Sequence, residues 1–341
     1  MFDHYIAVDW AQRNMAIARM TGKSDKICTI DVPSSVKELQ VYLGNLRGSK
    51  CLTFEESTAS QWLYTELNEH VSQLIVCDPY RNYLLREGAK NDRIDAGKMV
   101  QMLRANLLKP VFHSGDQFIL LRKIISGYED LVKAGTRLKN QRSALFRACG
   151  KDHKGVGLNL SAEKFVLEGL DRSILVYEEE KLRYEQEFKK LSKEFLEIRL
   201  LQSIPGIGII PAVQIVAQVV DPRRFPSVGH FLSYCGLVKL EKMSGGKSYG
   251  KRTSRYCRTM KRVFKLATFT CIQNGKNNPM RDYYLYLIHD KKIGERAAGN
   301  AVARKIATLT LGVLKTKKKF DPFLREKKKL LGEKVESTLR V

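Results

Sequence analysis

Short apolar segments alternate with polar connections over roughly the first hundred residues. Strands are predicted at 4–9, 14–20, 26–31, 51–54 and 74–77, and helices at about 33–46 and 61–70. A further helix is predicted after the second acid-rich segment, from about residue 92. The order βββαβαβα predicts an α/β layer whose leading strands are antiparallel and whose later strands are parallel. This is the element order of the RNase H-like fold.

From about residue 116 to 200 the spacing of large apolar residues changes to steps of three and four. The two series are Leu121, Ile124, Tyr128, Leu131, Gly135, Leu138, Arg142, Leu145 and Ile174, Tyr177, Lys181, Tyr184, Phe188, Leu191, Phe195, Ile198. These heptad seams predict two long helices in an antiparallel hairpin or coiled coil. A heptad seam does not identify its partner, so an internal bundle and a dimerisation arm remain equal alternatives.

The remainder, from Leu200 to about Leu314, is predicted to be mostly helical. It begins with S-I-P-G-I-G, in which Gly206 and Gly208 flank an apolar residue just before a helix predicted from Pro211 to Val220. Free amides in such a loop can face a phosphate, as in the helix-hairpin-helix loops of DNA-binding proteins. A purely structural turn is the alternative.

These patterns predict four regions. They are an RNase H-like domain at 1–112, a coiled-coil or helical region at 113–200, a mostly helical domain at 201–320 and a basic tail at 321–341. The lysine-rich stretch 315–331 is a solvated tail or an additional phosphate contact.

Composition indicates an intracellular protein that binds nucleic acid. The 341 residues carry 60 Lys and Arg against 36 Asp and Glu, a formal net charge of +24, which favours a polyanionic partner. Nucleic acid is favoured over a membrane surface, because no basic amphipathic helix and no apolar run of roughly 18 residues is present. The 7 cysteines are scattered and form no C-x-x-C pair, so neither a zinc ribbon nor a disulfide framework is indicated, and reduced thiols in a cytoplasm are favoured.

The segment K-N-D-R-I-D-A places two acids, Asp92 and Asp95, nearly one helical turn apart at the start of an apolar-periodic run. Acids in a first turn favour the helix dipole, which is the simplest explanation of the pair. Like charges this close also repel unless a cation lies between them.

Further acids stand at the ends of predicted strands. Asp9 ends the first strand and Glu55 or Glu56 ends the fourth, so strand, strand and helix can bring them together with Asp92 and Asp95. Hard oxygen ligands suit Mg²⁺ or Mn²⁺, and two ions about 4 Å apart can stabilise both oxygens of a phosphodiester exchange. The ordered set D…E…D-x-x-D therefore predicts a metal-dependent phosphoryl-transfer site.

Strand periodicity distinguishes the two glutamates. Leu52 and Phe54 are predicted to face the core, so Glu55 shares the opposite face with Thr53 and Glu56 begins the turn. Glu55 is the predicted ligand.

Motifs along nearly the whole chain resemble a known family. They are IAVDW (6–10), FEEST (54–58), VCDP (76–79), KNDRIDA (90–96), SIPGIG (203–208), FLSYCGLV (231–238) and MSGG (243–246). The chain resembles the DEDD transposases of bacterial insertion sequences related to the Piv/MooV invertases, the bridge-RNA-guided recombinases. The resemblance implies a RuvC-like domain, a coiled coil and a small helical domain that carries a nucleophilic serine.

By this resemblance Asp9, Glu55, Asp92 and Asp95 are catalytic acids that bind the metal, and Ser244 is the nucleophile. The sequence departs from the family at two places. The glycine usually found shortly after the glutamate is missing, which keeps Glu56 open as the ligand, and Lys239 replaces a proline.

The residues around Ser244 are compatible with chemistry but do not require it. They form a glycine-rich loop among cations, which include the predicted nucleic-acid contacts Lys247, Lys251, Arg252 and Arg255. Cations lower the cost of a serine alkoxide and of a pentacovalent phosphate. From the residues alone, a flexible nucleic-acid-contacting loop is the alternative, and Ser248 and Ser254 compete for the role.

The predicted function is DNA recombination by a bacterial cytoplasmic, nucleoid-associated enzyme. Such an enzyme cuts one strand per site through a phosphoserine link. The resemblance implies donor and target DNA, a noncoding guide RNA and self-association to a dimer or tetramer. Two alternatives remain: a metal-dependent junction resolvase that uses water, and a non-catalytic basic RNA-binding scaffold. The presence of all the acids argues against the scaffold.

Overall fold

The computed structural model describes residues 1–81, 91–113, 118–152, 160–273 and 278–323. The chain divides into two compact units, Met1–Gln117 and Phe118–Val341, and each has its own hydrophobic core. The first unit is a mixed α/β sheet with helices, and the second is mostly helical.

The first unit is built on one 6-stranded sheet in the order β3-β2-β1-β4-β5-β6. Its strands are β1 (His4–Trp10), β2 (Asn14–Thr21), β3 (Ser24–Pro33), β4 (Lys50–Glu55), β5 (Gln73–Cys77) and β6 (Pro110–Val111). The first three form an antiparallel meander, and β4 and β5 run parallel to β1. The five predicted strands are thereby confirmed. The short β6, antiparallel to β5, was not predicted because 2 residues show no periodicity.

Helices cover both faces of this sheet. They are α1 (Val36–Gly44), α2 (Ser60–Leu67) and α3 (Asp92–Arg104). Side chains from α1 and α2 pack with Ile6, Val8, Leu52, Phe54 and Val76. On the opposite face α3 packs with Tyr5, Ala7, Ala16, Cys51 and Cys77. The period-2 alternation of each strand therefore assigns every residue to one of two layers.

The second unit contains the predicted helical regions. Its helices are α4 (Phe118–Ala148), α5 (Ser161–Glu194), α6 (Leu196–Leu201), α7 (Ile209–Val219), α8 (Val228–Tyr234), α9 (Arg258–Gln273), α10 (Pro279–His289) and α11 (Glu295–Thr316). A two-stranded hairpin, β7 (Leu240–Ser244) and β8 (Lys247–Arg252), interrupts them.

The two long helices α4 and α5 pair in antiparallel fashion, which confirms the predicted hairpin. Lys139 pairs with Glu178 at 2.5 Å and Arg142 with Asp171 at 2.6 Å. A Cβ atom at Gly135 would lie 2.3 Å from the Tyr177 ring, so only glycine permits this close approach. The coiled-coil assignment itself stays a prediction.

One detail of the predicted heptad series is wrong. The second long helix ends at Glu194, and Phe195 has extended backbone (φ −99°, ψ 108°) before the separate helix α6 begins. The spacing of Phe195 and Ile198 continues the series only because both residues are buried in the helical core.

The base of the helix pair belongs to this core, and the far half does not. Leu121, Ile125, Phe188 and Leu191 lie in the main hydrophobic cluster of the helical unit. The far half, around Gly135 and Tyr177, is held by contacts between the two helices themselves. The near half therefore fits the bundle interpretation, and dimerisation through the far half stays a prediction.

Two further predictions concern membrane insertion and the basic C-terminal tail. Among the residues described, no helix is long and apolar enough to cross a bilayer. The predicted basic tail at 321–341 lies almost wholly outside the described residues, which end at 323.

Candidate functional site

Two predicted acids stand side by side at one edge of the sheet. The parallel register pairs Val8 with Phe54, so Asp9 and Glu55 are the next residues of neighbouring strands. Both share the parity of Ala7 and Cys51, which pack against α3. Asp9 and Glu55 therefore lie on the α3 face, at the carboxyl ends of β1 and β4, and both are half-buried.

The helix α3 carries the other two acids to this face. Its N-cap is Asn91, whose side chain accepts a hydrogen bond from the Arg93 amide at 2.9 Å. Arg93 pairs with Asp31 of β3, Nε to Oδ2, at 2.5 Å. Asp31 lies opposite Ala16, and Ala16 lies opposite Asp9, so the first turn of α3 is at the level of Asp9.

The two aspartates of α3 differ in environment. Asp92 is exposed, whereas Asp95 is half-buried and its Oδ1 is buried without a hydrogen-bond partner. A buried carboxylate oxygen that lacks a partner costs free energy, because it has lost water without compensation. A bound cation would supply that missing partner.

The carboxylates are not gathered into a closed ligand set. Among the described residues, no three His, Cys, Asp or Glu side chains converge closely enough to hold a metal ion. The backbone places the acids at one edge and on one face, and the oxygen donors have the chemistry that Mg²⁺ and Mn²⁺ prefer. The donor set and the Asp95 oxygen fit a divalent ion.

Glu56 is engaged elsewhere. Its carboxylate lies 3.1 Å from Nε2 of His113, whose side chain is only 5% exposed. His113 also packs on the ring of Tyr64, with centroids 5.6 Å apart. Leu52 and Phe54 do lie in the α1 and α2 layer, as their periodicity predicted. The choice of Glu55 over Glu56 as a metal ligand stays a prediction, and this contact favours it.

The segment around Ser244 is a β-hairpin and not the loop that the sequence predicted. Gly245 and Gly246 have φ of 54° and 75°, which is typical of the two-residue type I′ turn. The turn closes β7 onto β8, with Ser244 directly opposite Lys247. The prediction was wrong because glycines that allow flexibility equally allow this turn, which only strand pairing reveals.

The three serines of this region have different environments. Ser248 donates to Glu241 at 2.9 Å, and Ser254 lies 2.8 Å from the hydroxyl of Ser233. Ser244 is exposed, and its hydroxyl bonds to no other described residue. The hydroxyl of Ser244 is thus the most available of the three.

Cations surround this hairpin. Lys247, Lys251, Arg252 and Arg255 are all exposed. Exposed cations on a projecting hairpin can contact a phosphate backbone at little desolvation cost. This is the arrangement expected of a nucleic-acid contact.

The two glycines of the predicted phosphate-facing loop have different roles. Gly206 has φ of +83°, and a Cβ atom there would lie 2.3 Å from the carbonyl oxygen of Ala267 in α9. Packing therefore accounts for Gly206. Gly208 is exposed, caps α7 and has open space around its Cα.

Sequence reasoning missed the partners that hold the acids in place. Asp31 and His113 are distant in sequence from Arg93 and Glu56, and nothing in their own segments marks them as neighbours. The only local indication of either contact was the arginine inside K-N-D-R-I-D-A, which is the residue that pairs with Asp31.

Comparisons with known proteins find similarity to transposases in both halves of the chain. A transposase family model of the DEDD type matches residues 6–149, and the model described as transposase of the IS116/IS110/IS902 family matches residues 198–285. Residues 6–149 and 198–285 are thus similar to transposases of the IS110/IS116 type. The first match contains Asp9, Glu55, Asp92 and Asp95, and the second contains Ser244.

The individual relatives are distant from this chain in sequence. The transposase for insertion sequence element IS1111A of Coxiella burnetii is 26% identical over 206 residues, which are 55% of this chain and 56% of the relative. An uncharacterized 43.6 kDa protein of element IS110 from Streptomyces coelicolor is 29% identical over 120 residues, 35% of this chain and 29% of the relative. An uncharacterized 44.8 kDa protein of element IS116 from Streptomyces clavuligerus is 29% identical over 128 residues, 36% of this chain and 30% of the relative. The matched segments thus span between 29% and 56% of the length of these relatives.

Proposed function

We propose that this chain cuts and rejoins DNA strands as the transposase of an insertion sequence. The observation that carries the proposal is the acid edge, where Asp9 and Glu55 end neighbouring parallel strands and α3 brings Asp92 and Asp95 to the same face. The family matches support it in both halves of the chain.

The first unit is proposed to be RNase H-like, of the RuvC type. The support is its strand order β3-β2-β1-β4-β5, with an antiparallel meander followed by strands parallel to β1. In such a sheet the carboxyl ends of the parallel strands form the reactive edge, and Asp9 and Glu55 stand there.

The acids are proposed to hold Mg²⁺ or Mn²⁺. Asp9, Glu55, Asp92 and Asp95 would be the ligands, and the bound metal would stabilise negative charge on the phosphate oxygens. The N-cap of Asn91 and the ion pair of Arg93 with Asp31 hold the helix that carries two of these ligands. His113 keeps the carboxylate of Glu56 in a separate contact.

Ser244 is proposed to be the nucleophile. In the proposed cleavage, its Oγ forms a bond to phosphorus as the bond from phosphorus to a deoxyribose oxygen breaks; the serine hydroxyl loses its proton to solvent and the leaving oxygen takes one up. Rejoining reverses these bonds, and the phosphoserine link conserves the bond energy that hydrolysis would lose. Its support is the family resemblance, the exposed hydroxyl and the position of Lys247 opposite it.

A water-using nuclease is the second candidate. It is favoured by one observation: all four acids belong to Met1–Gln117, whereas Ser244 belongs to the other unit. Hydrolysis would need only the first unit. Cleavage without a protein–DNA adduct would favour this candidate.

The proposed partners are DNA, a noncoding guide RNA and further copies of the chain in a dimer or tetramer. The net charge of +24 supports polyanionic partners. Exposed apolar side chains on α5, namely Leu175 and Leu182 at 61% and 57% exposure, support self-association through the helix pair. Their spacing of seven residues is that of a heptad seam.

The test is recombination with defined components. RNA recovered with the protein from its native host is added back to purified protein and defined pairs of DNA targets. We expect recombination that needs both the RNA and a divalent cation, and that Asp95→Asn abolishes. Binding should weaken by about 0.7–0.9 log units per log of salt for each phosphate neutralised. Selective recombination by protein free of RNA would contradict the guide, and absence of any strand cleavage would contradict the proposed function.

A further inference from the structure

The chain contains 2 tryptophans, and both lie at the acid edge of the sheet. Trp10 is the last residue of β1, and Trp62 lies in the first turn of α2. Their rings meet edge to face, with centroids 5.8 Å apart and an interplanar angle of 81°. Trp62 is 50% exposed, whereas Trp10 is half-buried and packs against the α1 and α2 layer.

The position of this pair follows from the strands that carry the acids. Trp10 directly follows Asp9, and successive strand residues point to opposite faces, so the acid and the indole flank the same strand end. The start of α2 is tied to the end of β4, because the Ser60 hydroxyl donates to the carbonyl oxygen of Glu55 at 3.1 Å. Trp62 comes two residues after that anchor.

Core packing does not account for the exposed ring. The buried face of α2 consists of Ser60, Leu63 and Leu67, which are at most 1% exposed. Trp62 instead presents half of its surface to solvent while Trp10 restrains the ring from one side. An exposed cation, Arg13, lies in the short connection that follows Trp10.

An exposed indole that contacts a second ring next to the acid edge, in a chain of charge +24, matches the chemistry of an unpaired nucleobase. Proteins that hold single strands combine cations for the backbone with aromatic rings for the bases. Stacking of this kind tolerates any base, because every base has a π face.

We propose that Trp62, supported by Trp10, is a stacking platform for an unpaired base of the strand whose phosphate reaches the acid edge. This assignment rests on the proposed function of the acids. The ring positions the strand and takes no part in bond making.

Intrinsic fluorescence provides a direct test, because the full chain has no other tryptophan. In the variant Trp10→Phe the emission reports Trp62 alone. We expect oligothymidylate to quench this emission, and an abasic strand of equal length to bind without quenching it. End-labelled strands followed by anisotropy give the affinity of each variant independently of emission.

Substitutions separate stacking from general binding. Trp62→Ala should weaken oligothymidylate binding at least about fivefold while leaving abasic-strand binding unchanged. Trp62→Phe should restore most of the loss. Val41→Ala, at a 63% exposed apolar position of α1, is the matched control and should bind as the wild type does.

The possible failures are distinguishable. Wild-type affinity in Trp62→Ala, together with unchanged emission of Trp10→Phe on binding, overturns the platform and leaves the proposed function standing. Absence of binding to any nucleic acid overturns the proposed function itself. An effect of Trp62→Ala on self-association alone, seen by sedimentation without DNA, also overturns the platform and makes Trp62 a contact between copies.

Discussion

Arg93 and Asp31 form an ion pair of 2.5 Å between the first turn of α3 and the strand β3. A second pair, Arg104 with Asp25 at 2.8 Å, joins the last turn of the same helix to the start of the same strand. Both ends of α3 are thus held on β3. The buried face of α3, with Ala96, Met99 and Val100, sets its distance from the sheet, and the ion pairs align its two ends with β3.

Breaking the first pair should impair activity more than stability. The two side chains are 59% and 44% exposed, so Arg93→Met should change the free energy of unfolding by less than about 1 kcal/mol. Metal-dependent strand cleavage should fall, because the first turn of α3 loses its anchor. Asp25→Asn, which cuts the pair at the other end, should leave cleavage near wild type. Equal losses in the two variants would contradict a local effect.

Removing Asp95 should abolish cleavage without unfolding the protein. Asp95→Ala loses the favourable interaction of a first-turn acid with the helix dipole but also removes a buried oxygen that has no partner. These effects oppose each other, so the unfolding free energy should stay within about 1 kcal/mol of wild type. Urea unfolding measures this, and calorimetric titration should show weakened Mg²⁺ binding. Asp92→Asn should likewise abolish cleavage, and full activity in either variant would refute the metal assignment.

Replacing each of the two glutamates by glutamine should have opposite effects on strand cleavage. Glu55→Gln should abolish cleavage, because the side chain lies on the face of Asp9 and removal of its charge weakens a metal ligand. Glu56→Gln should retain most activity, because its carboxylate contacts His113. Side-by-side cleavage assays decide the matter. An inactive Glu56→Gln beside an active Glu55→Gln would reverse the assignment.

Ser244→Ala should bind nucleic acid normally and form no covalent adduct. Loss of an exposed hydroxyl should change stability by no more than about 0.5 kcal/mol. Trapping on nicked DNA, followed by mass spectrometry of the adduct, locates the phosphate in the wild type. Ser248→Ala is the control, since Ser248 already donates to Glu241. A phosphate on Ser248 or Ser254 would move the nucleophile to that residue.

The cysteine thiols should react with an alkylating reagent in an order set by their burial. Burial raises the pKa of Cys51 from its ordinary 9.0 to about 11, and that of Cys271 likewise to about 11. At about pH 8 such a thiol is ionised to roughly one part in a thousand, and only the thiolate is nucleophilic. Cys28 is exposed and should be alkylated first, as peptide mapping would show, and Cys28→Ser should remove that early label.

The same pKa shifts affect stability in alkaline solution. The unfolded thiols ionise near 9.0 and the folded ones near 11, so stability is fully present below about pH 9 and declines as pH rises through that range. Urea titrations on either side of this range would measure the decline. Rapid labelling of Cys51 in the folded protein would contradict the burial described for it.

Periodicity in the sequence alone determined the strands of the meander, the long helices and the order of the acids. These features are local, because a period of two or of 3.6 residues is imposed by the backbone of each segment. The face of Glu55 could be predicted in this way, since Leu52 and Phe54 alternate with it.

Only the tertiary structure decided which groups meet. Arg93 and Asp31 are 62 residues apart in the chain, and their contact joins the first turn of α3 to β3. The hairpin that carries Ser244, the break at Phe195 and the pairing of Trp10 with Trp62 likewise depend on long-range packing. Such contacts join segments whose own hydrophobic periodicity already accounts for their secondary structure. The local periodicity of the sequence therefore does not predict which segments touch.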